Sequence, residues 1–304
     1  MIEVQQVLSA LAAQPSLKGF GLIASRQPGT LTFLDSAQFL ADLARNPNVA
    51  GVITTSTLAQ ALAERRPDLW LLEAEAPRAV FYQAHNTCAV TANRGLEPSR
   101  IAPSAHIDAR AYVAPSGVVI GPGVHIEPMV TILPGVEIGA NSVVRAGSSL
   151  GVEGFEHKRV AGGVLSVVHD RFVVIGEEVE IGANCTVARG LMGEDTQIGH
   201  QTKTDCLVHI AHCAKVGARC LVAAHAMIAG SAVIEDDVWI GPNASISSQV
   251  HVGQGAQVTL GAVVVRDVAP QERVTGNFAI SHRDFLRDMK AQARARRRTE
   301  ARPC

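Results

Sequence analysis

His212 sits third in the hexad IAHCAK (210–215), Asp205 lies in the preceding hexad TDCLVH (204–209), and Gly230 follows His212 by 18 residues. An imidazole with an ordinary pKa near 6.5 is the side chain best matched to taking a proton at neutral pH. A carboxylate one hexad earlier is placed to orient or polarise it. A glycine with no side chain can offer its backbone N–H to a developing oxyanion. A base and an oxyanion donor are the two groups that acyl transfer to a nucleophile asks of a protein, and the rest is positioning.

Those three residues need a scaffold that sets them side by side, and the sequence supplies one. An aliphatic residue recurs every six positions at 101, 107 and 113, from 120 to 144, from 175 to 187 and from 198 to 264. Small residues follow it, as in IGPGVH, IGANSV, IGANCT and IGPNAS. Six matches neither the helical period of 3.6 nor the strand period of 2. It matches a chain that turns a corner every six residues, so that three sides close a coil of 18. Coils then stack one strand spacing apart, about 4.8 Å. That spacing puts Gly230 on the same edge as His212, one coil on. About eight coils give a prism roughly 40 Å long. The repeat breaks between Leu150 and Val173 and slips again near 188–196. Excursions from a regular scaffold are where function concentrates. Zinc held by three histidines, two of them five residues apart on adjacent hexads, is the competing use of histidine on such a prism. None of the eleven histidines has a partner at that spacing, and His209 and His212 are three apart, so no metal is expected.

The flanks differ. Residues 1–98 alternate helical spacing (Met1–Ala13, Pro77–His85) with short apolar strands (Val49–Thr55, Leu69–Leu72), which reads as a small α/β domain. Residues 99–280 hold the β-helix. Residues 281–304 leave the repeat as a basic helix or tail carrying Arg283, Arg287, Lys290, Arg294, Arg296, Arg297, Arg298 and Arg302, either solvated or a docking surface for an acidic partner. The net charge of −1 argues against binding nucleic acid or anionic lipid with the whole molecule. Six cysteines without a CxxC pair imply a reducing compartment, and Cys185, Cys206, Cys213 and Cys220 read as small apolar fillers of the repeat. The start of the chain lacks the basic segment of a signal peptide, and no apolar run reaches the roughly 18 residues of a membrane span. A cytoplasmic protein is expected.

Four segments carry a resemblance to the UDP-3-O-acylglucosamine N-acyltransferase family of lipid A biosynthesis: GTLTFLDSAQF (29–39), IAPSAHIDARAYV (101–113), GVEGFE (151–156) and TDCLVHIAHCAKVG (204–217). It is read along almost the whole chain. It implies a left-handed parallel β-helix of hexapeptide repeats, mainly β, with a small N-terminal nucleotide-binding α/β domain and a C-terminal helix. It implies a homotrimer with active sites between neighbouring prisms. It makes His212 the general base, Asp205 its acidic support and Gly230 the oxyanion glycine. Phe33 and Phe39 fall on two aromatics that sandwich a nucleotide base, with Ser36 between them. Phe155 and His209 fall in the substrate-binding segments. The acyl donor implied is an acyl-CoA or an acyl carrier protein, used as co-substrate with no permanently bound cofactor.

The departures point to a divergent member. Ser36 stands where the family has Asn, and Gln249 where it has a second His. Leu260, with Val263 in the segment VTLGAVVVRDV (258–268), replaces a Gly of the acyl channel and should narrow it. DVWIGPNASI (237–246) and VTGNFAI (274–280) look more like sugar acetyltransferases. The expectation is an N-acyltransferase acting on a nucleotide-linked aminosugar for lipid A or another surface glycan, with a shorter acyl group. The competing readings are a sugar O-acetyltransferase using acetyl-CoA, which would need the same base, and a nucleotide-sugar-binding β-helix without chemistry.

Overall fold

The computed structural model describes residues 2–276 and 279–300, with side chains described to residue 294. Asn277 and Phe278 of the 274–280 motif lie outside the described residues, as do Arg302 and Cys304 of the tail and the side chains of Arg296, Arg297 and Arg298.

The N-terminal unit runs α1 (Ile2–Ala13), β1 (Gly19–Phe20), β2 (Thr30–Leu34), α2 (Leu40–Arg45), β3 (Val49–Thr54), α3 (Ser56–Arg65), β4 (Trp70–Glu73) and α4 (Pro77–Arg94). Its four strands pair in parallel in the order β1-β2-β3-β4. Fully buried Leu31, Ile53, Phe81 and Val7 weld the sheet to α4 and α1. Proline opens α4 at a position where its missing N–H costs nothing, and the helix continues to Arg94, well past the His85 limit that its apolar spacing suggested.

From Arg100–Ile101 to Arg273–Val274 the chain forms short strands in three parallel sheets of eight, eight and nine. Strands 18 residues apart pair directly: His209 with Met227, Met227 with Ser245, and Ser245 with Val263. On the inner side of that wall Ile210, Ile228 and Ile246 stack with no more than 1% exposure. Position 204 breaks the aliphatic pattern without breaking the coil. Thr204 is buried there and its hydroxyl accepts the Gly182 N–H at 3.0 Å, so the polar atom is satisfied.

A residue with positive φ turns most corners and recurs every six positions from Gln201 (59°) through Leu207, Cys213, Arg219, His225 and Ser231 to Gln249 (64°). Non-glycine residues hold this conformation at roughly 1–2 kcal/mol each, which the stacked coils must outweigh. Between corners the approach is close: a Cβ on Gly199 would lie 2.5 Å from the backbone of the next coil. The helix α5 (His282–Glu300) follows the prism.

Two excursions interrupt the coils. Leu150 pairs with Val187, 37 residues on, and Val152 with Ala188 after a bulge, because 153–172 leave the wall. Part of that segment is an antiparallel hairpin, His157–Val160 with Gly163–Ser166. Thr186 pairs with His209, 23 residues on, because a short loop around Leu191–Glu194 is inserted. Both excursions seat the N-terminal unit. Val167, Leu191, Met192 and Cys213 join its core. Helix α4 bonds to them through His85 Nε2–H to the Val168 carbonyl (2.9 Å), Asn93 Nδ2 to the His169 carbonyl (2.9 Å), and Arg189 Nη2 to Asn93 Oδ1 (3.1 Å).

The inner and outer positions of the coil should respond oppositely to substitution. Ile132→Ala, at 0% exposure, should cost about 2–5 kcal/mol in denaturant unfolding. Met129→Asn, three residues earlier at a 66%-exposed corner with φ 60°, should be neutral or stabilising by up to about 1 kcal/mol.

Candidate active site

His212 closes the corner after the strand His209–Ile210, and the first excursion folds back over it. Its imidazole is held between two glycines. A Cβ on Gly154, in the excursion, would lie 2.8 Å from His212 Cδ2, and a Cβ on Gly230, one coil on, 2.6 Å from Cε1 and 2.8 Å from Nε2. Only glycine permits both approaches. The corner puts Ser231 at positive φ, with its N–H donating to the His212 carbonyl at 3.0 Å. That leaves the Gly230 N–H without an acceptor among the described residues.

His212 Nδ1 is buried with no hydrogen-bond partner, so Nε2 is the nitrogen able to meet a substrate. Nε2 faces Glu156 Oε2 at 3.8 Å. The other oxygen of that carboxylate, Oε1, pairs with Lys158 Nζ at 2.5 Å, and Lys158 in turn lies over the Tyr82 ring. Burial lowers the pKa of His212; Glu156 opposes that shift and Lys158 and His209 reinforce it. A neutral imidazole at neutral pH is the form a base requires.

A second histidine packs edge-on beneath it. His169, at 0% exposure, has its ring centroid 5.6 Å from that of His212, and its Nε2 accepts the Gly154 N–H at 3.2 Å. That bond places the proton of neutral His169 on Nδ1. Burial, helped by His212 and Arg189, pushes its pKa down to about 4. His169 had no motif to mark it, and it lies in the excursion whose path the repeat does not encode.

Asp205 does not support His212 within the chain. It closes the corner before the strand His209–Ile210 whereas His212 closes the corner after it, so the two stand at opposite edges of one wall. Its Oδ1 accepts the neighbouring Cys206 N–H at 2.7 Å. The carboxylate beside the imidazole is Glu156, reached through the excursion. His209 is half-buried on the outer face of the same wall, its pKa lowered by burial.

Phe33, Phe39 and Gln249 come together around a cavity of about 830 Å³ in the N-terminal unit, with Arg26, Arg45 and Arg78 also on its lining. Phe33 packs against Phe81 and Tyr82, whereas Phe39 is 43% exposed. Arg78 lies 5.6 Å over the Phe33 ring and bonds to Asp35 Oδ2 at 2.9 Å. Ser36 precedes the short turn Ala37–Phe39 and is not on the lining. Gln249 belongs equally to the β-helix: its N–H donates to the Gly230 carbonyl at 3.1 Å. The cavity and the His212 corner therefore adjoin. Phe155 is 88% exposed on the excursion, its ring edge against His157. Leu260 and Val263 are exposed on the outside of the last coils, Val263 in the outward row of Met227 and Ser245.

Three of the four repeat cysteines, Cys185, Cys213 and Cys220, are buried fillers, with burial pushing Cys213 up to about 12; Cys206 is exposed instead. Among the described residues no His, Cys, Asp and Glu cluster could hold a metal, and no helix is long and apolar enough to cross a membrane.

Residues 117–151 match the bacterial transferase hexapeptide (six repeats) family. The chain carries hexapeptide repeats wound as a left-handed parallel β-helix. It is 38% identical to the UDP-3-O-acylglucosamine N-acyltransferase of Methylobacterium nodulans over 152 residues, half of this chain and 43% of that protein. The proteins of the same name from Methylorubrum extorquens and Rhizobium meliloti are each 36% identical, over 56% and 51% of this chain and 48% and 44% of theirs. The matched stretch thus spans less than half the length of these relatives. The resemblance read from the motifs is borne out, though over half of the chain and not nearly all of it. Among solved structures, the UDP-N-acetylglucosamine acyltransferase of Francisella novicida is 25% identical over 62% of this chain and 71% of its own, with a TM-score of 0.46.

The buried imidazole sets a pH dependence. His169 is neutral when folded down to about pH 4, while an unfolded chain protonates it near 6.5, so the unfolded state gains protons first. Stability should be flat above pH 6.5 and fall between there and about pH 4. His169→Gln should flatten that fall in denaturant titrations at stepped pH.

Proposed function

We propose that the chain is an N-acyltransferase that moves an acyl group from an acyl-CoA or acyl carrier protein thioester to the amine of a nucleotide-linked aminosugar. His212 Nε2 takes the amine proton. The free Gly230 N–H receives the oxyanion of the tetrahedral intermediate. The observation that carries the reading is the packing of Gly230 directly against the Nε2 edge of a half-buried, neutral imidazole. The name of the relatives supports the acceptor class.

The cavity beside Gly230 suits a nucleotide. Phe33 and the exposed Phe39 offer aromatic surface to a base, and Arg26, Arg45 and Arg78 bring positive charge for a diphosphate, partly answered by Asp35 and Asp42 on the same lining. Gln249 links that cavity to the catalytic corner, so a bound nucleotide would present its sugar there. The outward row Met227–Ser245–Val263 runs away from the corner and would carry the acyl chain, with Leu260 limiting its length. Assembly into a trimer and a cytoplasmic location belong to the same proposal.

The test is mass-spectrometric detection of acyl transfer, with UDP- and dTDP-aminosugars offered to a panel of acyl-CoA and acyl carrier protein donors. Transfer of a short acyl group is expected; no product with any pair overturns the reading. His212→Ala should lower kcat by about 10²–10⁴, and Gly230→Ala should do comparable damage by displacing the ring. Phe33→Ala should raise KM for the nucleotide sugar more than it lowers kcat. Leu260→Gly should shift donor preference towards longer chains.

A further inference from the structure

We propose that Glu156 is the carboxylate that recognises the acceptor as an ammonium, making this site select an amine over a hydroxyl. The inference rests on the acyltransferase reading above. It begins from a position that no hexad encodes, since Glu156 reaches the His212 corner only because the first excursion folds back over it.

The two oxygens of Glu156 have separate tasks. Oε1 is taken by Lys158, and Oε2 faces His212 Nε2. At 3.8 Å, Oε2 and Nε2 are too far apart for a direct hydrogen bond. In a dyad that orients a base, the carboxylate holds the nitrogen opposite the one that works. Here the opposite nitrogen, Nδ1, is buried without a partner, so Glu156 stands on the substrate side of the ring. Both side chains retain 17% exposure, a setting in which a charge–charge contact is worth more than at an open surface.

A nitrogen can bridge them after a small opening. A tetrahedral ammonium donating to both at about 2.9 Å would hold the two acceptors roughly 4.7 Å apart, an opening of about an ångström. The carboxylate sits on an excursion and not on a stacked coil, so that movement disturbs no repeat. An amine that meets water near neutral pH is largely protonated. The site must first bind that cation and then remove its charge. One ammonium proton passes to His212 Nε2, and the freed lone pair forms the C–N bond to the thioester carbon. The carbonyl electron pair moves onto oxygen beside the Gly230 N–H. Collapse breaks the C–S bond, the thiolate takes the second proton lost by nitrogen, and His212 returns the first to solvent. A hydroxyl acceptor is neutral and donates one hydrogen bond to the Glu156 carboxylate, whereas an ammonium adds a full charge–charge attraction to its hydrogen bond, and that attraction separates the two classes.

The test uses the whole chain with UDP-glucosamine and its hydroxyl counterpart UDP-glucose, by calorimetry at pH 7. The wild type should bind the amine at least tenfold more tightly. Glu156→Gln, which keeps the shape and removes the charge, should erase that preference by weakening UDP-glucosamine binding about tenfold more than UDP-glucose binding. In the same variant the NMR titration of His212 should move to lower pH. Equal affinity of the wild type for both ligands, no amine-dependent binding, or equal losses for both in Glu156→Gln overturns the proposal. A binding preference that depends on Glu156, together with no acyl transfer from any donor, would instead sink the acyltransferase reading and leave the ammonium site standing.

Discussion

The whole molecule depends on one register: each residue of a regular coil lies directly beside the one 18 positions on. That pairing satisfies the backbone of strands only two or three residues long, which would have no stability alone. It also turns a linear sequence into columns. A buried column of aliphatics supplies the core, and a corner column supplies positions where backbone and side chain of successive coils meet at close range. His212 and Gly230 are neighbours for no other reason. The register also sets its own cost, since many corners force a positive φ on residues as ill-suited to it as Leu207 and Cys213. Such corners persist because the stacked walls on both sides over-determine them.

A perfect prism would nevertheless have a featureless surface. What makes a site is the failure of the period at two places on consecutive coils. The 153–172 excursion brings Gly154, Glu156 and His169 against the imidazole, and the loop around Leu191–Glu194 joins the seat beside Cys213. Helix α4 then docks on the first excursion through hydrogen bonds to its main-chain carbonyls, and on the second through Arg189 donating to Asn93, fixing the N-terminal cavity against Gln249. Docking by backbone acceptors tolerates change in the excursions' side chains, leaving those free to be chosen for chemistry.

The repeat, its breaks and the His212–Gly230 column are legible in the sequence, because a fixed period converts directly into spatial adjacency. The same arithmetic places Asp205 away from His212: seven residues is neither one coil nor one corner, and it carries the chain across a full wall. The motif resemblance joined them without regard to that distance. Glu156 and His169 were illegible for the converse reason. They lie 56 and 43 positions before His212, in a segment whose length says only that the chain leaves the wall and nothing of where it returns. Phe33, Phe39 and Gln249 were named by resemblance, and their meeting around one cavity follows from the docking of α4, which no local pattern expresses.

The electrostatics of the corner follow from this mixture of periodic and aperiodic parts. Two imidazoles in edge-to-face contact cannot both be charged in a half-dry setting, and His169 is the more deeply buried of the two. Its Nε2 is committed to accepting the Gly154 N–H, which holds the excursion down and excludes a proton from that nitrogen. His169 therefore acts as a neutral floor for the His212 ring. With the floor neutral and Nδ1 walled off, any charge that His212 gains must be answered from the Nε2 side, where Glu156 is the nearest anion. Lys158 keeps that anion from being unopposed while the site is empty. A cationic acceptor would enter a position already polarised to receive it, and would leave as a neutral amide with nothing there to hold it.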